Sequence, residues 1–422
     1  MARFVGVPGE GNHRHLVLPP TPDASPTLPV RRTVAVILAL AALGVGAAFG
    51  IAAAMVGSQG QNGPGANPLP IAAGPTPTVL VTPDVTPPPT PTPRPTPVPT
   101  PKPVPAPLTG RPVTAAVAAQ RAIAVMIDDH SDARPQSGFN AASVVWQAPA
   151  EGGIPRYMLI FQDTLPVSVG PVRSAREYYI EWAAEWRAMY VHSGGSPQAL
   201  ATLRAKGRGQ WVYNADEFRW GGKYLWRIRQ RFSPHNVYSD GQNLRALAGR
   251  VGAKDVAMAP AWSFLPDAPL SRRPLGGNIS TAYLANHIGY AYDQASNTYI
   301  RSVTGASPQI DAADGRRVAP KNVVIMLVHF GALNDGHPNK KRLEAANVGK
   351  GTAWIATNGR TVKGTWRKAS ITEPTLFFGP GGRPVSLTIG QTFVQVMPLG
   401  TKVTITDGVG PVRPAPGPPA AQ

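Results

Sequence analysis

The chain has 422 residues, with 41 Lys or Arg against 23 Asp or Glu for a net charge of +18, 48 Pro, 44 Gly and no Cys. Without cysteine there is no disulfide scaffold, thiolate metal centre, cysteine nucleophile or lipid-modified cysteine anchor. A hydrophobic fraction of 43%, with all 9 Trp lying between Trp146 and Trp366, excludes a wholly disordered chain.

Residues 33–56 carry no charge and would make about 36 Å of helix against about 30 Å of hydrocarbon, so a transmembrane anchor is expected there. Arg31 and Arg32 stand immediately before it and no basic residue follows until Arg94. The positive-inside bias therefore puts residues 1–32 in the cytoplasm and the remainder outside, as a single-pass protein of the cell membrane. A cleaved signal peptide is the rival reading, but the apolar run exceeds the usual h-region of about 7–15 residues. Residues 57–112 contain a Pro/Thr-rich stretch with a Pro at about every second position, which cannot build a helix or a sheet ladder and reads as a disordered or polyproline II spacer. Residues 408–422 read as a loose Pro/Ala-rich tail.

The intervening ectodomain divides by periodicity into an α+β arrangement, an α/β lobe over 113–260 and a mostly-β lobe over 275–407. In the first, Ala122–Ile127, Ser143–Gln147 and Tyr157–Gln162 read as strands. Ala175–Tyr190 reads as a helix on the spacing of Tyr179, Trp182, Ala183, Trp186 and Tyr190, with Glu177, Glu181 and Glu185 as a solvated stripe. A second helix runs from Pro197 and stops at Gly207, and a third lies near Asn243–Val251. In the second lobe, strands are expected at Thr281–Tyr292, Thr298–Val303, Asn322–His329, Thr352–Ala356, Val362–Trp366, Thr375–Phe378 and Thr392–Met397, with Asn358-Gly359 supplying a turn.

Polar residues of the first lobe gather in four loops. These carry Asp128-Asp129-His130 with Arg134, Gln136 and Asn140; Glu151-Gly152-Gly153 with Arg156; Gly170 to Arg176, including Arg173 and Ser174; and His192 to Pro197, including Gly194, Gly195 and Ser196. Ligands of α/β sheets bind outside the carboxyl ends of strands, so convergence of these loops would make a site. Ser174 and Ser196 read as helix caps, Ser174 within an S-x-x-E capping box. Free N–H groups at helix starts, glycines before them, and Arg134, Arg156, Arg173 and Arg176 suit an anion. On a strand Asp128 and His130 share a face while Asp129 points away, and Asp128, His130, Glu151 and His192 are the acid/base candidates for an enzyme. His192, His235 and Glu151 match no metal-ligand spacing, so neither metal nor cofactor is expected. The aromatic stretch from Trp211 to Trp226 reads as core for the most part, with stacking on sugar rings as the alternative.

The strings AVMIDDHSDARPQSGFNAASVVWQAPAEGGIPRYMLIFQ, VGPVRSAREYY and HSGGSPQA, with the later GTAWIATNGRTVKGTWRKAS and GQTFVQVMP, resemble the YerB-like family of extracytoplasmic, lipoprotein-like bacterial proteins, whose domain has no assigned activity. The resemblance covers both lobes and implies an envelope location without implying a reaction. It departs at the anchor, where a lipoprotein needs a cysteine that this chain lacks. The expected function is therefore a membrane-anchored envelope protein that binds an anionic glycan or a wall-assembly partner, with no nucleic acid. The alternative is an envelope-polymer hydrolase or transferase.

Overall fold

A computed structural model of the chain describes residues 102–207 and 209–410, together with Gly74. The expected cytoplasmic segment 1–32, the anchor 33–56, most of the spacer and residues 411–422 lie outside the described residues. Among the described residues no helix is long and apolar enough to cross a membrane.

The fold is α+β, with strand predominating. Its first segment contains β1 (Ile123–Asp128), β2 (Val144–Ala148), β3 (Arg156–Phe161), α1 (Glu177–Ala184), β4 (Met189–His192), α2 (Pro197–Lys206), β5 (Tyr213–Asp216) and α3 (Gly241–Arg250). The second contains β6 (Asn278–Ala282), β7 (His287–Asp293), β8 (Thr298–Val303), β9 (Asn322–Val328), β10 (Gly349–Thr357), β11 (Arg360–Lys368), β12 (Leu376–Phe378), β13 (Thr392–Pro398) and β14 (Thr404–Thr406).

The two segments are not separate layers. One ten-stranded sheet runs β12-β11-β10-β9-β13-β2-β3-β1-β4-β5. Strand β13 closes it, pairing in parallel with β9 through Val323↔Phe393 and with β2 through Phe393↔Val145. Strands β6, β7, β8 and β14 form a second, four-stranded sheet. The central strands β9, β13, β2, β3, β1 and β4 are buried on both faces, which is why they read as continuous apolar runs. Met126, Trp146, Met158 and Val394 pack with α1 and α2 on one side, while Val125, Val145, Leu159 and Phe393 pack with α3 and the small sheet on the other. The wholly buried Arg301 pins the small sheet to the long one, its guanidinium donating to Tyr290 Oη at 3.1 Å and Tyr157 Oη at 3.2 Å.

Several boundaries differ from the sequence reading for local reasons. Helix α1 ends at Ala184 because Arg187 turns left-handed (φ 43°), so Tyr190 belongs to β4. Its N-cap is Arg176, with no side-chain cap, and not Ser174; the expected capping box does not form, because Ala175 bridges Gly195 and Arg176 is still extended. The acidic stripe is a packing seam. Glu177 accepts from Thr202 at 2.8 Å, and the buried Glu185 pairs with Lys368. The expected strand Thr281–Tyr292 is two strands, broken where the Tyr283 hydroxyl turns inward to the carbonyls of Gln147 and Val396. The end of the expected spacer is folded, with Val104–Pro105 paired to Pro112–Val113 and Leu108 wholly buried. At the other end Val409 bridges Leu275, so the tail is packed as far as that contact.

Other elements match. Ser196 caps α2 by accepting from Ala199 N–H at 3.3 Å, and Gly207 closes it. Asn358 (φ 48°) and Gly359 (φ 72°) make the two-residue hairpin turn between β10 and β11, a geometry that requires positive φ at both positions.

Candidate ligand site at the carboxyl edge of the sheet

Strands β2 and β1 are both antiparallel to β3, so β9, β13, β2, β1, β4 and β5 share one direction. Their carboxyl ends, among them Ala148, Asp128, His192 and Asp216, lie along one edge. The antiparallel β3 begins at that edge, with Arg156 in register with both Asp128 and Ala148.

The third loop reaches the edge by doubling back. Val172 bridges Ile127, and Arg173 N–H donates to Met126 O at 2.9 Å. This sets Arg173 beside Asp128, with Nε 2.9 Å from Oδ2 in an ion pair rather than an aligned hydrogen bond. His235 Nδ1 lies 2.7 Å from the same oxygen, and Asp128 Oδ1 accepts from His130 N–H at 3.1 Å. The His130 ring stacks on His235, centroids 4.9 Å apart and 22° from parallel.

Strand alternation sends Asp129 the other way, as expected. It is buried, accepting from Arg134 Nη2 at 2.9 Å, Gln147 Nε2 at 2.7 Å and Asn286 Nδ2 at 2.8 Å. Burial raises its pKa, with the Arg134 and Arg301 cations pulling against that rise. Arg134 is thus committed to a carboxylate, and Gln136 to the Asp128 carbonyl at 2.9 Å.

The second and third loops meet at Glu151. Its Oε2 accepts from Arg176 Nη2 at 2.6 Å, and Arg156 Nη2 lies 3.6 Å away. Burial alone would raise the Glu151 pKa, but the Arg176 hydrogen bond and the two guanidinium charges outweigh it and hold the carboxyl below its ordinary value. Burial and the neighbouring Arg176 cation bring Arg156 down to about 10, and its Nη1 donates to Ser174 O at 2.7 Å. Gly152 and Gly153 shape this loop at φ 65° and 77°. Beside it, Gly152, Gly153, Tyr283, Leu284, Leu343 and Pro398 line a largely apolar groove of about 590 Å³.

The fourth loop joins through the Ala175–Gly195 bridge. Its His192 is wholly buried, with Nδ1 2.8 Å from Gly194 O and Nε2 2.8 Å from Asn214 Oδ1. Both ring nitrogens serve the fold, so His192 is removed from the acid/base set. Asn140 is not brought to this edge. Its loop has returned toward the start of β2, where Asn140 N–H donates to Asp311 and its side chain to Asp314. There it flanks a second cavity, of about 570 Å³, bordered by Arg111, Arg316, Arg317 and Lys321, which sequence spacing does not reveal. In the aromatic stretch Tyr224 is buried, whereas Phe218 is 77% exposed.

Residues that spacing could not connect are His235, which reaches Asp128 across 107 positions, and Asn286 and Arg301, which come from the second segment. His130, Asp132 and His235 form a group of donors close enough to hold a metal ion.

This α+β architecture is that of a two-part family without an assigned activity. Residues 108–254 match the "Protein of unknown function (DUF3048) N-terminal domain" and residues 279–394 the "Protein of unknown function (DUF3048) C-terminal domain". The chain belongs to this YerB-like family. It is 29% identical over 307 residues to the candidate lipoprotein YerB of Bacillus subtilis (strain 168), covering 72% of this chain and 89% of that protein. The crystal structure of YerB from Bacillus subtilis superposes with a TM-score of 0.62 at 26% identity, covering 71% of this chain and 99% of that one.

Proposed function

We propose that the chain is a membrane-associated extracytoplasmic envelope protein that binds an anionic glycan along the carboxyl edge of its long sheet. The lipoprotein name of the Bacillus relative and the uncharged run at residues 33–56 support the location. Arg173 carries the binding reading. Asp128 fixes its Nε, the side chain is 25% exposed, and among the described residues no hydrogen bond engages its two terminal nitrogens. A guanidinium held this way offers a planar fork to a carboxylate or phosphate without further ordering cost. The adjoining apolar groove suits the apolar face of a sugar ring. Arg134 pairs with Asp129, and Arg156 and Arg176 share Glu151 and are largely buried, so Arg173, whose outer nitrogens are not engaged, is the one whose removal should matter most.

The test is binding of the full chain to anionic and neutral wall polysaccharides at two salt concentrations, with Arg173→Ala and Arg317→Ala alongside. Saturable, salt-sensitive binding that is lost in Arg173→Ala supports the reading. Loss in Arg317→Ala alone would move the ligand to the basic cavity at the opposite edge, and no binding by the wild-type chain would favour a wall-assembly protein partner.

One observation favours an enzyme as the second reading. Asp128 orients the His235 imidazole at 2.7 Å, the layout of a positioned general base. Loss of turnover on envelope polymer in both Asp128→Asn and His235→Gln, with the fold intact, would establish it; Glu151 is bound by two arginines and is not part of it.

A further inference from the structure

We infer that His130, Asp132 and His235 form a binding site for a divalent transition metal of the zinc class. Each offers one donor atom, and the three atoms lie within 4.8 Å of one another. Donors around one tetrahedral zinc stand roughly 3.3 Å apart, given metal–nitrogen bonds of about 2.0–2.1 Å. The side chains must therefore close slightly. Asp132, its side chain 68% exposed, can do so by rotation; the His130 ring, 38% exposed, must slide on its stack with His235 and give up the hydrogen bond that its Nδ1 accepts from Asp132 N–H at 3.3 Å, while His235 is held.

A second, independent feature points the same way. Metal-bound imidazoles nearly always donate their other ring N–H to a carboxylate, a backbone carbonyl or water, which sets tautomer and orientation. Asp128 stands in that relation to His235, 2.7 Å from Nδ1 with its own side chain 5% exposed, which leaves Nε2 for an ion. The loop that carries the other two donors is fastened to the His235 segment. Arg231 donates to Asp132 O at 2.8 Å and to Pro135 O at 2.7 Å, from a position four residues before the histidine. The pieces of the site are thus tied together by contacts that do not involve the donor atoms.

Two imidazoles and one carboxylate select first-row ions such as Zn²⁺ over Mg²⁺ or Ca²⁺, which prefer all-oxygen shells. Three protein donors leave positions for water or a ligand oxygen. Arg173 shares Asp128 with His235, so such an oxygen, if anionic, would have a guanidinium close by. The site does not depend on the glycan reading, since it is defined by metal affinity alone.

The deciding experiment is calorimetric titration of the untagged full chain with Zn²⁺ and separately with Mg²⁺, with circular dichroism as the check on folding. One Zn²⁺ per chain is expected, with affinity at least about tenfold weaker in His130→Gln and in His235→Gln, and about 10–100-fold weaker in Asp128→Asn. His337→Gln, on a distant exposed loop, should bind as wild type. Because His235 is packed against Asp128, His130→Gln, at a partly exposed ring, is the decisive variant. Absence of saturable Zn²⁺ binding at up to about 100 µM, Mg²⁺ binding as tightly as Zn²⁺, or an unchanged Zn²⁺ affinity in folded His130→Gln would each overturn the assignment.

Discussion

The Lys368 ammonium donates to Glu185 Oε1 at 2.9 Å, across 183 positions of sequence, and neither side chain is exposed to solvent. Thr375 adds its hydroxyl to Oε1 at 2.7 Å and its N–H to Oε2 at 3.1 Å. This pair locks α1 of the first segment to β11 of the second. Burial raises the Glu185 pKa, with the Lys368 cation opposing that rise. Lys368→Met leaves the carboxylate buried without its counter-ion and should cost about 3–5 kcal/mol in urea unfolding. Lys368→Met with Glu185→Leu should recover most of that loss, because the desolvation penalty disappears with the charge. A double variant no more stable than the single one would show that the uncompensated buried charge is not what sets the cost.

One turn earlier on the same helix, Glu181 predicts a pH dependence. Burial and the neighbouring Glu177 carboxylate push its pKa up to about 7, against the pull of Asn347, Lys368 and Lys206. A carboxyl whose folded pKa exceeds its unfolded value of 4.5 binds a proton more tightly when folded. Its favourable contribution is complete below pH 4.5 and is lost as the pH rises through about 7. The difference in Tm between Glu181→Gln and wild type should therefore grow in favour of the variant across that window and level off above it. A difference that does not change with pH would refute the assignment.

Gly153 and Gly152 make a matched pair. Both sit at positive φ, but a Cβ on Gly153 would lie 2.6 Å from Leu284 Cδ2 and 2.8 Å from its Cβ, whereas one on Gly152 meets nothing within 4 Å. Gly152→Ala should lower Tm only by the strain of a left-handed alanine, since nothing stands near its Cβ. Gly153→Ala should lower it more, because Leu284 must move and the wall of the apolar groove moves with it. Equal effects in thermal melts would show that strain alone, and not the contact, sets the cost.

Much of the architecture was legible locally. Strands buried on both faces carry uninterrupted apolar runs, so β1, β2, β3, β9 and β13 stand out within a residue or so at each end. Helix α2 was legible because its start and stop depend on Ser196, Pro197 and Gly207, which act on their own neighbours. The misreadings fall where a distant partner overrides a local pattern. The Glu177–Glu185 stripe has the spacing of a solvated face, but Thr202 and Lys368 cover it. Ser174 has the spacing of a capping box, but the bridge from Ala175 to Gly195 delays the helix until after Arg176.

The sequence by itself determined which residues are apolar in which period, where turns fall, and which four loops hold the polar groups of the first segment. Family membership follows from those same strings. Only the tertiary structure decided what the polar groups do, because a side chain's role depends on what faces it. Of four arginines with the same apparent promise, Arg134, Arg156 and Arg176 meet Asp129 or Glu151, while Arg173 meets Asp128 and keeps its outer nitrogens. Of the histidines, His192 is spent inside the fold and His235 is delivered to Asp128 and His130 from a segment more than a hundred residues away. Strand order sets those encounters, and strand order comes from the packing of the whole sheet, closed by β13 from the far end of the chain.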